Sequence, residues 1–236
     1  SVILAATSMA LSYLCTNIIV RKKEGFDNTV EKFGAAYSNC GFIGYPLAYG
    51  IFGSEGMFYM VGFNLVFNLC VFSFGEGSMR GTLGKGAVKQ VVLNPVTIAS
   101  VIGVAFFLLR IELPELIYDP LDMMGSMNTP LAMLVAGVSI AQMDVLKLLK
   151  KKRIYLVSLL KLFVIPVVFL LIFRFLPVPE LVYMTMVLAT ACPTATITIM
   201  FSLLYGHDDI YASEIFTASV IFSMFTIPVV FAVAVL

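Results

Sequence analysis

Apolar positions in this chain fall in long unbroken runs, not in the alternation of a half-buried strand or the single stripe of a surface helix. The runs cover roughly residues 1–20, 33–53, 57–75, 92–110, 121–142, 154–176, 181–204 and 214–236. Each is close to the ~20 residues that carry a helix across a bilayer core, so the pattern predicts eight spans. Composition strengthens this reading: with 60% hydrophobic and 12% charged residues and a mean hydropathy of +1.00, the chain is too apolar for one soluble core. The expectation is a single all-α integral membrane domain over residues 1–236. Because the first run is followed by "RKKEG" and lacks a small-residue cleavage site, it reads as a spanning helix and not a secretory signal.

Charge gives the spans a direction. One set of loops holds Arg21, Lys22, Lys23, Lys32, Arg80, Lys85, Lys89, Lys147, Lys150, Lys151, Lys152 and Arg153, whereas the alternate loops hold Arg110 and Arg174 beside five acidic residues. Basic residues concentrate on the cytoplasmic side, which predicts a multi-pass protein of the cytoplasmic membrane with both ends of this chain extracytoplasmic. The run "KLLKKKR" reads as a topology anchor. A net charge of +1 excludes a nucleic-acid partner, which would need a basic face. Cys15, Cys40, Cys70 and Cys192 lack metal or redox spacing and are expected as free thiols.

Two spans carry residues that an ordinary spanning helix does not need. The second reads "YSNCGFIGYPLAYGIFG", with Asn39, Gly41, Gly44 and Pro46; the seventh reads "VLATACPTATITIMFSLL", with Pro193 among Thr190, Thr194, Thr196 and Thr198. Proline removes a backbone donor inside a helix but costs little in its first turn, so Pro46 and Pro193 are each expected to begin a second half-helix. Freed backbone groups at membrane depth persist only where protein, water or ligand satisfies them. The two spans cross in opposite directions, which would aim both half-helix N-termini at a shared mid-membrane point, a geometry that attracts an anion. Asn64 and Asn68 in the third span, and Ser219 and Ser223 in the eighth, share one face each at i, i+4 spacing. Interhelical hydrogen bonds worth about 0.6 kcal/mol apiece are their simplest role. "MNTPL", with Asn128, Thr129 and Pro130, reads as a local kink.

The stretches "FGAAYSNCGFIGYPLAYGIFGSEG", "LNPVTIASVIG", "NTPLAMLVAGVSI" and "ATACPTATITIMFSLLYGHDDIYASEIFTASVIFSMFTIPVV" resemble the auxin efflux carrier family of PIN-like membrane transporters. That resemblance implies the fold shared with bile acid:sodium symporters, ten helices in two inverted repeats with the fourth and ninth helices broken and crossing at the substrate site. On this template residues 1–75 supply helices three to five and residues 92–236 helices six to ten. Eight of ten spans would be present, so about 60 residues are expected to precede Ser1 by repeat symmetry. The resemblance puts Asn39, Gly41 and Pro46 at one crossover segment and Pro193, Thr194 and Thr196 at the other, with Asn64 and Asn68 alongside. It implies a secondary transporter that exports a small organic anion such as a carboxylate. The alternatives are a sodium-coupled symporter of the bile-acid type and a non-transporting membrane sensor or assembly subunit; a homodimer is also compatible.

Coupling stays open at this stage. No cofactor is expected, and Na+ or H+ coupling remains an alternative: neutral hydroxyls and freed carbonyls could hold sodium, whereas residues 1–20, matching the third helix in which the resemblance implies an aspartate for plant carriers, hold no carboxylate for proton coupling. Lys161 and Glu214 are candidates for coupling or gating, against the simpler readings of snorkelling for the lysine and helix N-terminal placement for the glutamate. "GTLGKGAVK" fails as a phosphate loop, and His207 beside Asp208 and Asp209 reads as a helix cap, not a metal ligand. Without a zincin motif or nucleophile elbow, no enzyme chemistry is expected.

Overall fold

The computed structural model describes residues 2–81, 95–127 and 151–235, with isolated positions between 130 and 141. Its helices are α1 (Val2–Ile19), α2 (Asn28–Ala36), α3 (Tyr45–Cys70), α4 (Glu76–Arg80), α5 (Pro95–Leu109), α6 (Glu115–Ser126), α7 (Lys152–Leu159), α8 (Ile165–Phe173), α9 (Glu180–Ala191), α10 (Ile197–Tyr205) and α11 (Asp209–Val235). Single π-helical turns, Cys40–Gly44, Val71–Gly75 and Leu160–Val164, lead into α3, α4 and α8. Among the described residues, four continuous stretches are long and apolar enough to cross a membrane: Val2–Ile19, Cys40–Arg80, Lys152–Phe173 and Asp209–Ala234. Asn128 and Thr129 of the expected kink, and seven further positions of the expected fifth span, lie outside the described residues.

Cys40–Arg80 is a hairpin. At 1.5 Å per residue its 41 residues would be about twice as long as a bilayer core is thick if straight. The chain turns at Gly53, whose φ of 69° and ψ of −158° belong to a region open essentially to glycine alone. Atoms on either side of that turn meet: the Cβ direction of Gly41 points 3.4 Å from Asn64 Oδ1, and that of Gly44 points 3.3 Å from the Met60 sulfur. The expected second and third spans are therefore one folded-back pair with a single-glycine corner.

Packing follows small and aromatic residues. The buried face of α1 contains Ala5, Ser8, Ser12 and Thr16, whose hydroxyls return hydrogen bonds to carbonyls of their own helix at 2.8–2.9 Å. This makes a narrow face on which a neighbour can pack closely without leaving polar groups unsatisfied. Phe33 and Tyr37 stack at 4.5 Å, and Phe33 meets Phe201 edge-on at 5.7 Å, joining α2 to α10. Outward positions such as Leu14, Phe74, Leu171, Leu204 and Phe225 remain exposed, as lipid-facing side chains do in a spanning bundle.

At one end of the bundle the predicted basic loops meet. Asp27 caps α2 by accepting from the Thr29 and Val30 N–H groups; it also pairs with His207, which contacts the Met79 carbonyl. Arg153 bonds the Glu31 carboxylate and the Arg21 carbonyl, and Lys151 pairs with Glu214. Loops after the first, third, fifth and seventh expected spans thus gather at one end, as alternating crossings require. One expectation changes here: Lys32 stands within α2, not in a loop, because the Asp27 cap starts that helix earlier; Glu31 beside it is a fully buried carboxylate. Asp208 caps α11 by accepting the Tyr211 N–H at 2.8 Å.

Candidate functional site

The site begins where two helices stop. α2 ends at Ala36 and the π-helical turn starts at Cys40, leaving Tyr37–Asn39 outside any helix; α9 ends at Ala191 and α10 starts at Ile197, leaving a second open segment around Pro193. The two segments pair as a single antiparallel bridge between Ser38 and Thr194. The Asn39 N–H donates to the Pro193 carbonyl at 2.7 Å, and the Ala195 N–H donates to the Tyr37 carbonyl at 3.0 Å. Each break therefore supplies the hydrogen-bond partners that the other lost, which lets both persist away from water.

Side chains complete that satisfaction. The Thr194 N–H donates to Ser219 Oγ at 3.1 Å, and the Thr194 hydroxyl donates to the Gly34 carbonyl at 2.9 Å. A methyl at Gly34 would lie 3.3 Å from Thr194 Cγ2 and 3.2 Å from Ile215 Cγ2, so the lack of a side chain there permits this approach. Asn39 Nδ2 donates to Thr196 Oγ1 across the crossing at 3.2 Å.

Beside the bridge lies a cavity of about 290 Å³. Its polar lining comes from Ser38, Asn39, Asn64, Asn68 and Thr196, its aromatic wall from Phe42, Tyr45, Phe67 and Phe72, and among the described residues no acidic side chain lines it. Gly41, Ala195 and Ile197 add backbone at the starts of both second half-helices. Those starts carry N–H groups and the positive ends of helix dipoles. Cys40 Sγ contacts Asn64 Oδ1 at 3.4 Å, tying the folded-back arm of α3 to the first break.

Of the residues singled out in the sequence, Asn39, Gly41, Asn64, Asn68 and Thr196 come together at this cavity. Pro46 does not. It sits in the first turn of α3, where it removes no needed donor, and lines a separate apolar groove with Ser223 and Pro228. The first half-helix break therefore precedes Pro46, and the second helical segment starts at Cys40. Pro193 contributes its carbonyl to the bridge, and the Thr194 side chain turns toward Gly34. Lys161 does not snorkel: it is 0% exposed and donates to Ser38 Oγ and to the Thr190 carbonyl. Glu214 is held by Lys151 at the bundle end. Sequence reading overlooked Ser38, Tyr45, Phe67 and Phe72 as cavity wall, and Glu31 as a buried charge. Ser38 could have been suspected from its place before Asn39; the aromatics look like ordinary apolar span residues.

A bundle of apolar helices with two interrupted elements paired over a small polar cavity defines a membrane transport protein. A family model described as Membrane transport protein matches residues 78–231, including the second break and the helices around it. The chain belongs to that family, the auxin efflux carrier family, and is a multi-pass membrane transporter. None of the curated proteins matches it.

Proposed function

We propose that the chain exports a small organic anion, a carboxylate, across the cytoplasmic membrane, holding it in the crossover cavity. The observation that carries this reading is the lining of that cavity: amide and hydroxyl donors from Asn39, Asn64, Asn68 and Thr196, two half-helix starts and, among the described residues, no carboxylate. Such a lining favours negative charge, and about 290 Å³ suits a few-carbon molecule better than a bulky one. In this reading the antiparallel bridge is the axis of two inverted repeats, residues 1–75 and 92–236, the basic end faces the cytoplasm, and access alternates as the crossed segments shift against the other helices.

The test is a thermal-stability screen of the purified protein against mono- and dicarboxylates, with and without sodium, repeated on Asn39→Ala and Pro193→Ala. A saturable stabilisation by one carboxylate class that disappears in both variants supports the cavity as the site. An unchanged response in both places the ligand elsewhere, and no response to any carboxylate in the wild type removes the anion reading.

A further inference from the structure

The crossover has a second side. The anion cavity is lined by the starts of the second half-helices, whereas Lys161 approaches from the ends of the first ones. Its ammonium donates to Ser38 Oγ, in the segment just after α2, and to the carbonyl of Thr190 at 3.4 Å, in the last turn of α9. Last-turn carbonyls have no intrahelical partner and carry the negative end of the helix dipole. Half-helix starts therefore face the cavity and a half-helix end faces the lysine, with Ser38, which also lines the cavity, between the two sides.

The surroundings of Lys161 are those of a cation site without a counter-anion. The side chain is 0% exposed, and among the described residues its hydrogen bonds go to a hydroxyl and a backbone carbonyl. The titratable groups that bear on it most are the buried thiols Cys40 and Cys192, one from each broken element. Neutral oxygens from an unwound segment and a half-helix C-terminus are the ligand set that coordinates sodium in transporters with discontinuous helices. Here that set is engaged by an ammonium covalently attached to the π-helical turn Leu160–Val164.

We propose that Lys161 is a tethered cation that takes the place of a diffusible monovalent cation at the crossover, joining the two breaks and making the site independent of sodium. Removing the ammonium while leaving room for an ion converts the same oxygens into a site for sodium or a small alkylammonium. As a statement about coupling this rests on the transporter reading above, but its test uses no organic anion, so the two can fail separately.

Melting temperatures are measured for the wild type, Lys161→Ala and Lys161→Met in sodium chloride, ethylammonium chloride and choline chloride at equal ionic strength. The wild type is expected to melt at one temperature in all three salts. Lys161→Ala is expected to melt lower and to recover selectively and saturably in sodium or ethylammonium over choline, by about 3 °C at tenfold excess over the dissociation constant. Lys161→Met, which fills the slot with methylene and thioether groups, is expected to show no selective recovery. A sodium-specific rise in the wild type, or equal behaviour of Lys161→Ala in all three salts, overturns the proposal. Ser38→Ala provides a second arm if Lys161→Ala does not fold: it keeps the ammonium, removes one oxygen, and is expected to melt lower with no sodium response. Wild-type stability in Ser38→Ala contradicts the proposal.

Discussion

The backbone N–H of Asn39 donates to the carbonyl of Pro193 at 2.7 Å, across 154 residues of sequence. This bond and its neighbour between Ala195 and Tyr37 form a two-residue ladder where two helices would otherwise end against nothing. The consequence is a pair of breaks that are mutually dependent: neither Tyr37–Asn39 nor the segment around Pro193 has a local reason to keep its open backbone without the other.

That dependence makes Gly34 sensitive although it lies outside the breaks. In Gly34→Ala the new methyl would sit 3.3 Å from Thr194 Cγ2 and 3.2 Å from Ile215 Cγ2, closer than a packed interior tolerates without movement. A destabilisation of about 1–3 kcal/mol is expected from overpacking, read by thermal melting. Loss of carboxylate binding should accompany it, since the displaced group is the partner of Ser38 in the bridge.

Gly53 and Gly50 form a matched comparison. Gly53 adopts a φ of 69° with extended ψ, so Gly53→Ala should cost about 1–3 kcal/mol even though nothing lies within 4 Å of the added methyl. Gly50→Ala, with equally open space but ordinary helical backbone, should be neutral or stabilising by about 0.4–1 kcal/mol. Equal melting temperatures for the two variants would contradict the hairpin corner.

Glu31 is buried with Arg153 on its carboxylate and the Tyr211 hydroxyl donating to it at 2.8 Å. Glu31→Ala leaves the guanidinium without its partner and is expected to cost about 3–5 kcal/mol, whereas Glu31→Leu combined with Arg153→Met should recover a large part of that loss. A double-mutant cycle measured by thermal unfolding checks the coupling. Additive effects would show that the pair is not acting as a unit.

Acid should weaken the same end of the bundle through Asp27. Burial pushes its carboxyl up, but the hydrogen bond from His207, the Val30 N–H and the charge of His207 together outweigh it and hold the group below its usual 3.8. A depressed folded value means that the contribution is fully present above the unfolded value and is lost as pH falls through the folded one. The melting temperature should therefore drop below about pH 4, and Asp27→Asn, which keeps the cap, should flatten that drop. An identical acid limb in the variant would contradict the assignment.

The helical, membrane-spanning character was legible from hydropathy, and the gathering of alternate loops from charge. The second break was legible because Pro193 and its threonines mark it locally, although α10 starts at Ile197 and not at the proline. For the first, Pro46 does stand in the first turn of α3 as expected, but the open segment at Tyr37–Asn39 lies upstream of it across a π-helical turn, has no proline and is stabilised by partners on the other interrupted element. Lys161 was unreadable for the same reason: its oxygens belong to Ser38 and Thr190, 123 and 29 residues away. The buried state of Glu31 depends on Arg153, 122 residues distant.

Direct titration of the purified protein with the most stabilising carboxylate, by calorimetry, against Asn39→Ala tests the central claim most directly. Asn39 keeps its backbone bond to Pro193 in this variant and loses the amide that lines the cavity, together with its hydrogen bond to Thr196 Oγ1. The account predicts wild-type melting within about 1 kcal/mol and an affinity lower by about 10-fold or more, the worth of a hydrogen bond to a charged group. A carboxylate that binds the wild type and Asn39→Ala with equal affinity would contradict it.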